Sequence, residues 1–182
     1  LQDKFYVMPE VDKCRLQESF RTFVANYDKV NIHVEPVCYS TDDTAELAEI
    51  FNGNEALIKK YAEKLSISFE RVEYAKNNFI RVVKVMKAFV LNDSVKSFLC
   101  LNNKLPQENK GLFDIKLLEE FADAIIKLYG IKGLKGKDLL YSINSEDYDA
   151  KRAEFIQRLS KGEKLFVISS YNTVGAGQNL QY

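Results

Sequence analysis

The densest run of chemistry-bearing side chains is Ser169-Ser170-Tyr171-Asn172-Thr173-Val174-Gly175-Ala176-Gly177-Gln178-Asn179-Leu180-Gln181. It follows Lys164-Leu165-Phe166-Val167-Ile168, the strongest strand pattern in the chain. In a parallel α/β sheet, ligands bind beyond the carboxyl ends of the strands. Gly175 and Gly177 let the backbone approach a ligand closely and adopt positive φ. Exposed N–H groups and Ser or Thr hydroxyls beside them suit a phosphate oxygen. A plain glycine-rich connector is the alternative reading.

A second group is basic. Between Arg71 and Lys104 stand Arg71, Lys76, Arg81, Lys84, Lys87, Lys96 and Lys104, opposed only by Glu73 and Asp93, a local charge of +5. Arg81, Lys84 and Lys87 fall at three-residue steps, which places them on one side of a helix. Such a stripe can flank a nucleic-acid path, each neutralised phosphate adding salt-dependent affinity. A solvated helix face is the alternative. Lys132, Lys135 and Lys137 form a smaller basic turn.

Other chemistries are poorly supplied. His33 is the one histidine, so a zinc site, a Ser-His-Asp triad or a Cys-His pair would each have to rest on it. No catalytic residue and no metal ligand is therefore assigned. Cys14, Cys38 and Cys100 are odd in number and widely spaced. That pattern predicts reduced thiols and a cytoplasmic protein. Lys+Arg and Asp+Glu are each 26, so the net charge is zero and a chain-wide polybasic binder is not expected. The 182 residues are 46% hydrophobic and 29% charged, an ordinary globular balance. No apolar run approaches the roughly 20 residues that cross a bilayer, so no membrane partner is expected. Leu1 and Gln2 open no signal peptide, and the missing initiator Met suggests a processed or excised chain.

The pattern divides near Asp93, into a mostly helical segment over residues 1–93 and an α/β segment over 94–182. Early elements are a helix at about Asp12–Tyr27 and a short strand at Val30–Val34. Thr41 or Asp42 is placed to cap a helix ended by Asn52-Gly53. A further helix is expected over Asn54–Leu65. Ser68 would then cap a long helix to Leu91, with the stripe Val72, Ala75, Phe79, Val82, Val83, Met86 and Val90. Ser97–Leu101 reads as a buried strand. Asp114–Tyr129 is an amphipathic helix with Gly130 at its left-handed end. Asp138–Ile143 is the next strand, Ser145 a helix cap, and a helix runs to Leu159. A β-α-β-α-β order with short loops implies a parallel sheet.

The segment FVISSYNTVGAGQNLQY resembles motif V of superfamily 2 helicases and Swi/Snf-type translocases. In that motif a strand ends in Ser or Thr, and a G-x-N-L element follows; here it is Gly177-Gln178-Asn179-Leu180. The strand and helix order from Val95 resembles the motif IV to motif V part of the same second lobe. The resemblance implies a RecA-like parallel sheet, three-layered and incomplete. It makes Ser170 and Thr173 contacts to a nucleic-acid backbone, with Arg81, Lys84 and Lys87 as a basic flank. Gly175, Gly177, Gln178 and Asn179 become the loop coupled to nucleotide. Tyr171 and Asn172 depart from the Thr or acidic residue usual in the family. No G-x-x-x-x-G-K-[ST], D-E-x-[DH] or Q-x-x-G-R-x-x-R segment is present. ATP and Mg2+ would thus belong to a parent enzyme and its first RecA-like lobe, with neither bound nor turned over by this chain alone. A non-enzymatic protein-interaction module, a helical bundle on a small α/β domain, is the rival. A small-ligand α/β enzyme using the Gly175–Gly177 loop is a third reading.

Overall fold

The computed structural model describes residues 40–70, 72–108, 113–144, 146 and 148–170. The expected elements before Ser40, the Ser145 cap and everything after Ser170 lie outside them. The described residues form six helices and three strands.

Local chemistry sets most element ends. Helix α1 spans Asp43–Ile50, with Asp42 as its cap, accepting from the N–H groups of Thr44 and Ala45 at 2.9 and 3.2 Å. Asn54 caps α2, Glu55–Ser68, accepting from Leu57 N–H at 3.1 Å. Helix α3 is Glu73–Leu91 and no side chain caps it. Ser68 is therefore the last residue of α2 and not the cap of the long helix. The break falls there because Phe69 is buried against the Phe79 ring, 5.4 Å away, and the chain turns immediately after it.

Strand β1 is Ser97–Asn102, and α4 is Ile115–Leu128 with Asp114 as its cap. Gly130 takes φ +67° one residue beyond the helix end at Tyr129. A one-turn helix α5, Gly136–Leu139, precedes strand β2, Leu140–Ile143. Asp138 and Leu139 thus belong to a helical turn, not to the expected strand. The N–H groups of both donate back to the Lys135 carbonyl at 3.1 and 2.9 Å, and the turn buries Leu139 completely. Helix α6 is Tyr148–Ser160 and strand β3 is Leu165–Ser170.

The three strands form one parallel sheet in the order β1-β3-β2. β3 is the central strand, its first five residues buried on both faces, as its continuous apolar run requires. β1 differs from its expected burial: it lies at the sheet edge, with Leu99 and Leu101 39% and 37% exposed. On that face Phe155, with Ile156 and Leu159 of α6, packs over Tyr141, Ile143, Leu165 and Val167, leaving the β1 side open.

The opposite face packs on the larger core, to which residues on both sides of Asp93 contribute. Its centre is aromatic. The Tyr61 and Phe121 rings are 4.2 Å apart, with Phe51 and Phe79 against Phe121 at 5.7 and 5.4 Å. The Tyr61 hydroxyl donates to the Glu120 carbonyl at 2.9 Å. Burial, then the charges of Glu120 and Asp123, push its pKa from 10.0 up to about 12. A proton held more tightly in the folded state stabilises it below the unfolded pKa near 10, and that contribution is lost as pH rises toward about 12. The melting temperature is expected to fall across this interval. Tyr61→Phe should make the fall shallower while losing about 1 kcal/mol at neutral pH with the hydrogen bond. Melting curves from pH 9 to 12 for both proteins check this; parallel curves would contradict it.

Candidate functional site

The carboxyl edge of the sheet gathers polar groups that apolar strands carry there. Register places Asn102, the last residue of β1, beside Ser170, the last of β3, and Ile143 of β2 beside Ser169. Ser169 is fully buried, and its hydroxyl donates to the Ile143 carbonyl at 3.0 Å, tying the ends of β3 and β2 together. Its hydroxyl is thus engaged in holding the edge. Ser170, half-buried, is the expected phosphate contact that the described residues include. Thr173, Gly175, Gly177, Gln178 and Asn179 lie outside them.

Asn102 is 8% exposed. Its Oδ1 accepts from Asn78 Nδ2 of α3 at 3.2 Å and from the backbone N–H of Asn103 at 2.8 Å. Arg81, half-buried, follows Asn78 one turn along α3. Neither Asn78 nor Asn102 stands out by spacing in the sequence. The available signal was position: an amide at the last residue of a strand whose parallel neighbour ends in hydroxyls.

The basic series divides. Lys84 Nζ lies 2.7 Å from Glu46 Oε2 and 2.8 Å from Glu49 Oε2, with its side chain only 10% exposed. Burial works against its charge, but hydrogen bonds to Glu46 and Glu49 outweigh that and raise its pKa. Lys87 donates to the Glu49 carbonyl at 2.6 Å and lies over the Tyr129 ring. Lys76 pairs with Asp43 at 2.6 Å. Three lysines of α3 therefore fasten it to α1. Sequence spacing placed Arg81, Lys84 and Lys87 together; the acidic face of α1 separates their roles.

Other candidate chemistry lies elsewhere. The Lys132 turn borders a hollow of about 650 Å3 with Arg158, Glu163 and Lys164, before the start of β3 and so at the opposite edge. Arg158 pairs with Glu163 at 2.7 Å, and Lys164 donates to the Asn92 carbonyl at 2.6 Å. A second hollow of about 830 Å3 between α2 and α4 is lined by Lys60, Tyr61, Glu120, Asp123 and Lys127, among others. Burial pushes the Cys100 thiol up to about 11, so little of it is thiolate at neutral pH. Among the described residues no three His, Cys, Asp or Glu side chains come together as metal ligands. No helix among them is long and apolar enough to cross a membrane.

The architecture is a mixed α/β fold on a small parallel sheet, with its polar edge at the carboxyl ends of the strands. No protein-family model matches the chain, and no curated protein matches it.

Proposed function

We propose that this chain is the motif IV to motif V part of the second RecA-like lobe of an ATP-dependent nucleic-acid helicase or translocase. One observation carries the reading. Leu165–Ser170 is the central parallel strand, so the S-S-Y-N-T-V-G-A-G-Q-N-L run continues from the carboxyl edge, where α/β sheets take their ligands. In this reading Ser170 and Thr173 hold a phosphodiester backbone, and Gly175, Gly177, Gln178 and Asn179 sense nucleotide at the facing lobe. ATP and Mg2+ supply the driving reaction of the parent, and closure of the two lobes transmits it to the grip on nucleic acid. In this reading Arg81 is the basic flank that α3 offers, and Lys84 and Lys87 hold α3 to α1.

The test is fluorescence anisotropy of the whole chain with a labelled oligonucleotide. Binding is expected to be weak and to fall steeply with added salt. Thr173→Ala should weaken it by about tenfold or more, as loss of one charged-acceptor hydrogen bond does, while Lys161→Ala at the far end of α6 should not. Absence of binding at low salt would overturn the reading. The exposed Leu99 and Leu101 favour a protein-interaction module as the second reading. That module predicts no oligonucleotide binding in the same experiment.

A further inference from the structure

We infer that the open side of β1 is a docking surface for this chain's own residues 171–182, which lie over Leu99 and Leu101; this holds whether or not the helicase reading does. Parallel sheets occur almost only with both faces covered, because the crossover connections lie on those faces. Here one face is incomplete. Register sets Ser97, Leu99 and Leu101 beside Leu165, Val167 and Ser169, on the face where α6 packs. Phe98 and Cys100 turn to the other face, onto the larger core. Phe155, Ile156 and Leu159 of α6 cluster with β2 and β3, and no residue of β1 joins them.

The handedness of the connections selects the occupant. In the order β1-β3-β2, the connection from β1 to β2 crosses the sheet in one direction and carries α4 and α5 on the larger-core face. The connection from β2 to β3 runs back the other way and carries α6 on the opposite face. Right-handed crossovers require that pairing of direction with face. The chain leaves β3 at the carboxyl edge once more. A course past β2 would need the larger-core face, which α3, α4 and α5 already occupy. A course past β1 uses the α6 face and passes over Leu99 and Leu101. The segment suits that place. Tyr171 to Tyr182 holds no charged side chain, in a chain that is 29% charged, and charged side chains are the ones that burial on leucine excludes. Val174 and Leu180 supply branched aliphatic groups. Even fully helical, the segment would span about 18 Å, enough to run along most of the six-residue strand β1, roughly 20 Å long.

The experiment is thermal melting of the whole chain and its variants at several protein concentrations, beside sedimentation. Leu99→Lys is expected to lower the melting temperature by at least about 4 °C, because a covered ammonium loses its water. Ile67→Lys, at a site 80% exposed, should shift it by less than about 2 °C. Leu180→Asn should lower it as well, yet add little to Leu99→Lys, the signature of two side chains sharing one contact. Equal melting of Leu99→Lys and Ile67→Lys would overturn the inference, and so would additive losses from Leu99→Lys and Leu180→Asn. Losses that disappear on dilution, in step with dissociation of a dimer, would overturn it too and give the face to a second copy. Should Leu99→Lys fail to fold, Leu180→Trp decides. The chain has no other tryptophan, so its fluorescence reports that position alone. Emission to the blue of free tryptophan in water is expected, and emission at the free value overturns the inference. Oligonucleotide binding remains the separate test of the helicase reading.

Discussion

Phe121→Ala is expected to destabilise the fold by about 3–5 kcal/mol, the range for emptying a fully buried aromatic site. The ring is 0% exposed and meets Tyr61 of α2, Phe79 of α3 and Phe51 just beyond α1. Three neighbouring elements therefore face the space it leaves on α4. None can close it without drawing away from the others, so the cavity persists. The loss corresponds to a fall of roughly 6–20 °C in melting temperature for a domain of this size. Phe121→Leu keeps most of the volume and should cost about 1–2 kcal/mol. Calorimetry of the two variants beside the unsubstituted chain checks the ranking. Melting of Phe121→Ala within about 2 °C of the parent would show that this cluster is not the centre of the core.

Gly136→Ala is the second large expected effect, and its cause is steric. A Cβ built on Gly136 lies 2.4 Å from the Glu119 carbonyl oxygen and 3.1 Å from Ala122 Cβ. The closer obstacle is backbone, which cannot swing aside as a side chain can. The Gly136 N–H also donates to Asp123 Oδ1 at 2.6 Å, so the entry of α5 is held against α4 from both sides. Forcing them apart should cost about 1–3 kcal/mol or slightly more. Gly133→Ala provides the contrast. Nothing lies within 4 Å of its Cβ, and its φ of +77° costs an alanine only about 1 kcal/mol of backbone strain. Urea midpoints should therefore rank Gly136→Ala below Gly133→Ala. The reverse order would mean that α4 and α5 do not approach this closely.

Much of the local architecture is legible from residue type alone. Asp42, Asn54 and Asp114 cap helices because a short side-chain acceptor satisfies N–H groups that the first turn leaves unpaired. Gly130 ends α4 because the left-handed position penalises a Cβ. The misreadings have physical causes too. Ser68 has the chemistry of a cap, but burial of Phe69 decides where the chain breaks. Asp138-Leu139 continues an apolar run, but a helical turn buries Leu139 better than an extension of β2. Ser97–Leu101 has the composition of a buried strand. Position at the sheet edge, which composition does not encode, leaves Leu99 and Leu101 in solvent.

The candidate site shows the same division. That β3 is a strand buried on both faces, and that hydroxyls stand at its end, is written in Leu165–Ser170 itself, since only an unbroken apolar run suits a strand covered on both sides. The parallel order also follows from the sequence, because each strand is separated from the next by a helix long enough to cross over. Three facts were decided by tertiary structure alone. Asn102 becomes the neighbour of Ser170 because register between strands 68 positions apart depends on how the faces of both pack. Asn78 becomes its anchor because α3 lies across that face. Lys84 and Lys87 turn toward Glu46 and Glu49 because α1 packs beside α3, and a nearly buried cation settles against the carboxylates that packing brings within reach. Spacing along the chain determines which residues share a helix face or a strand end. Packing between elements determines what that face meets, and so which of its charges are engaged.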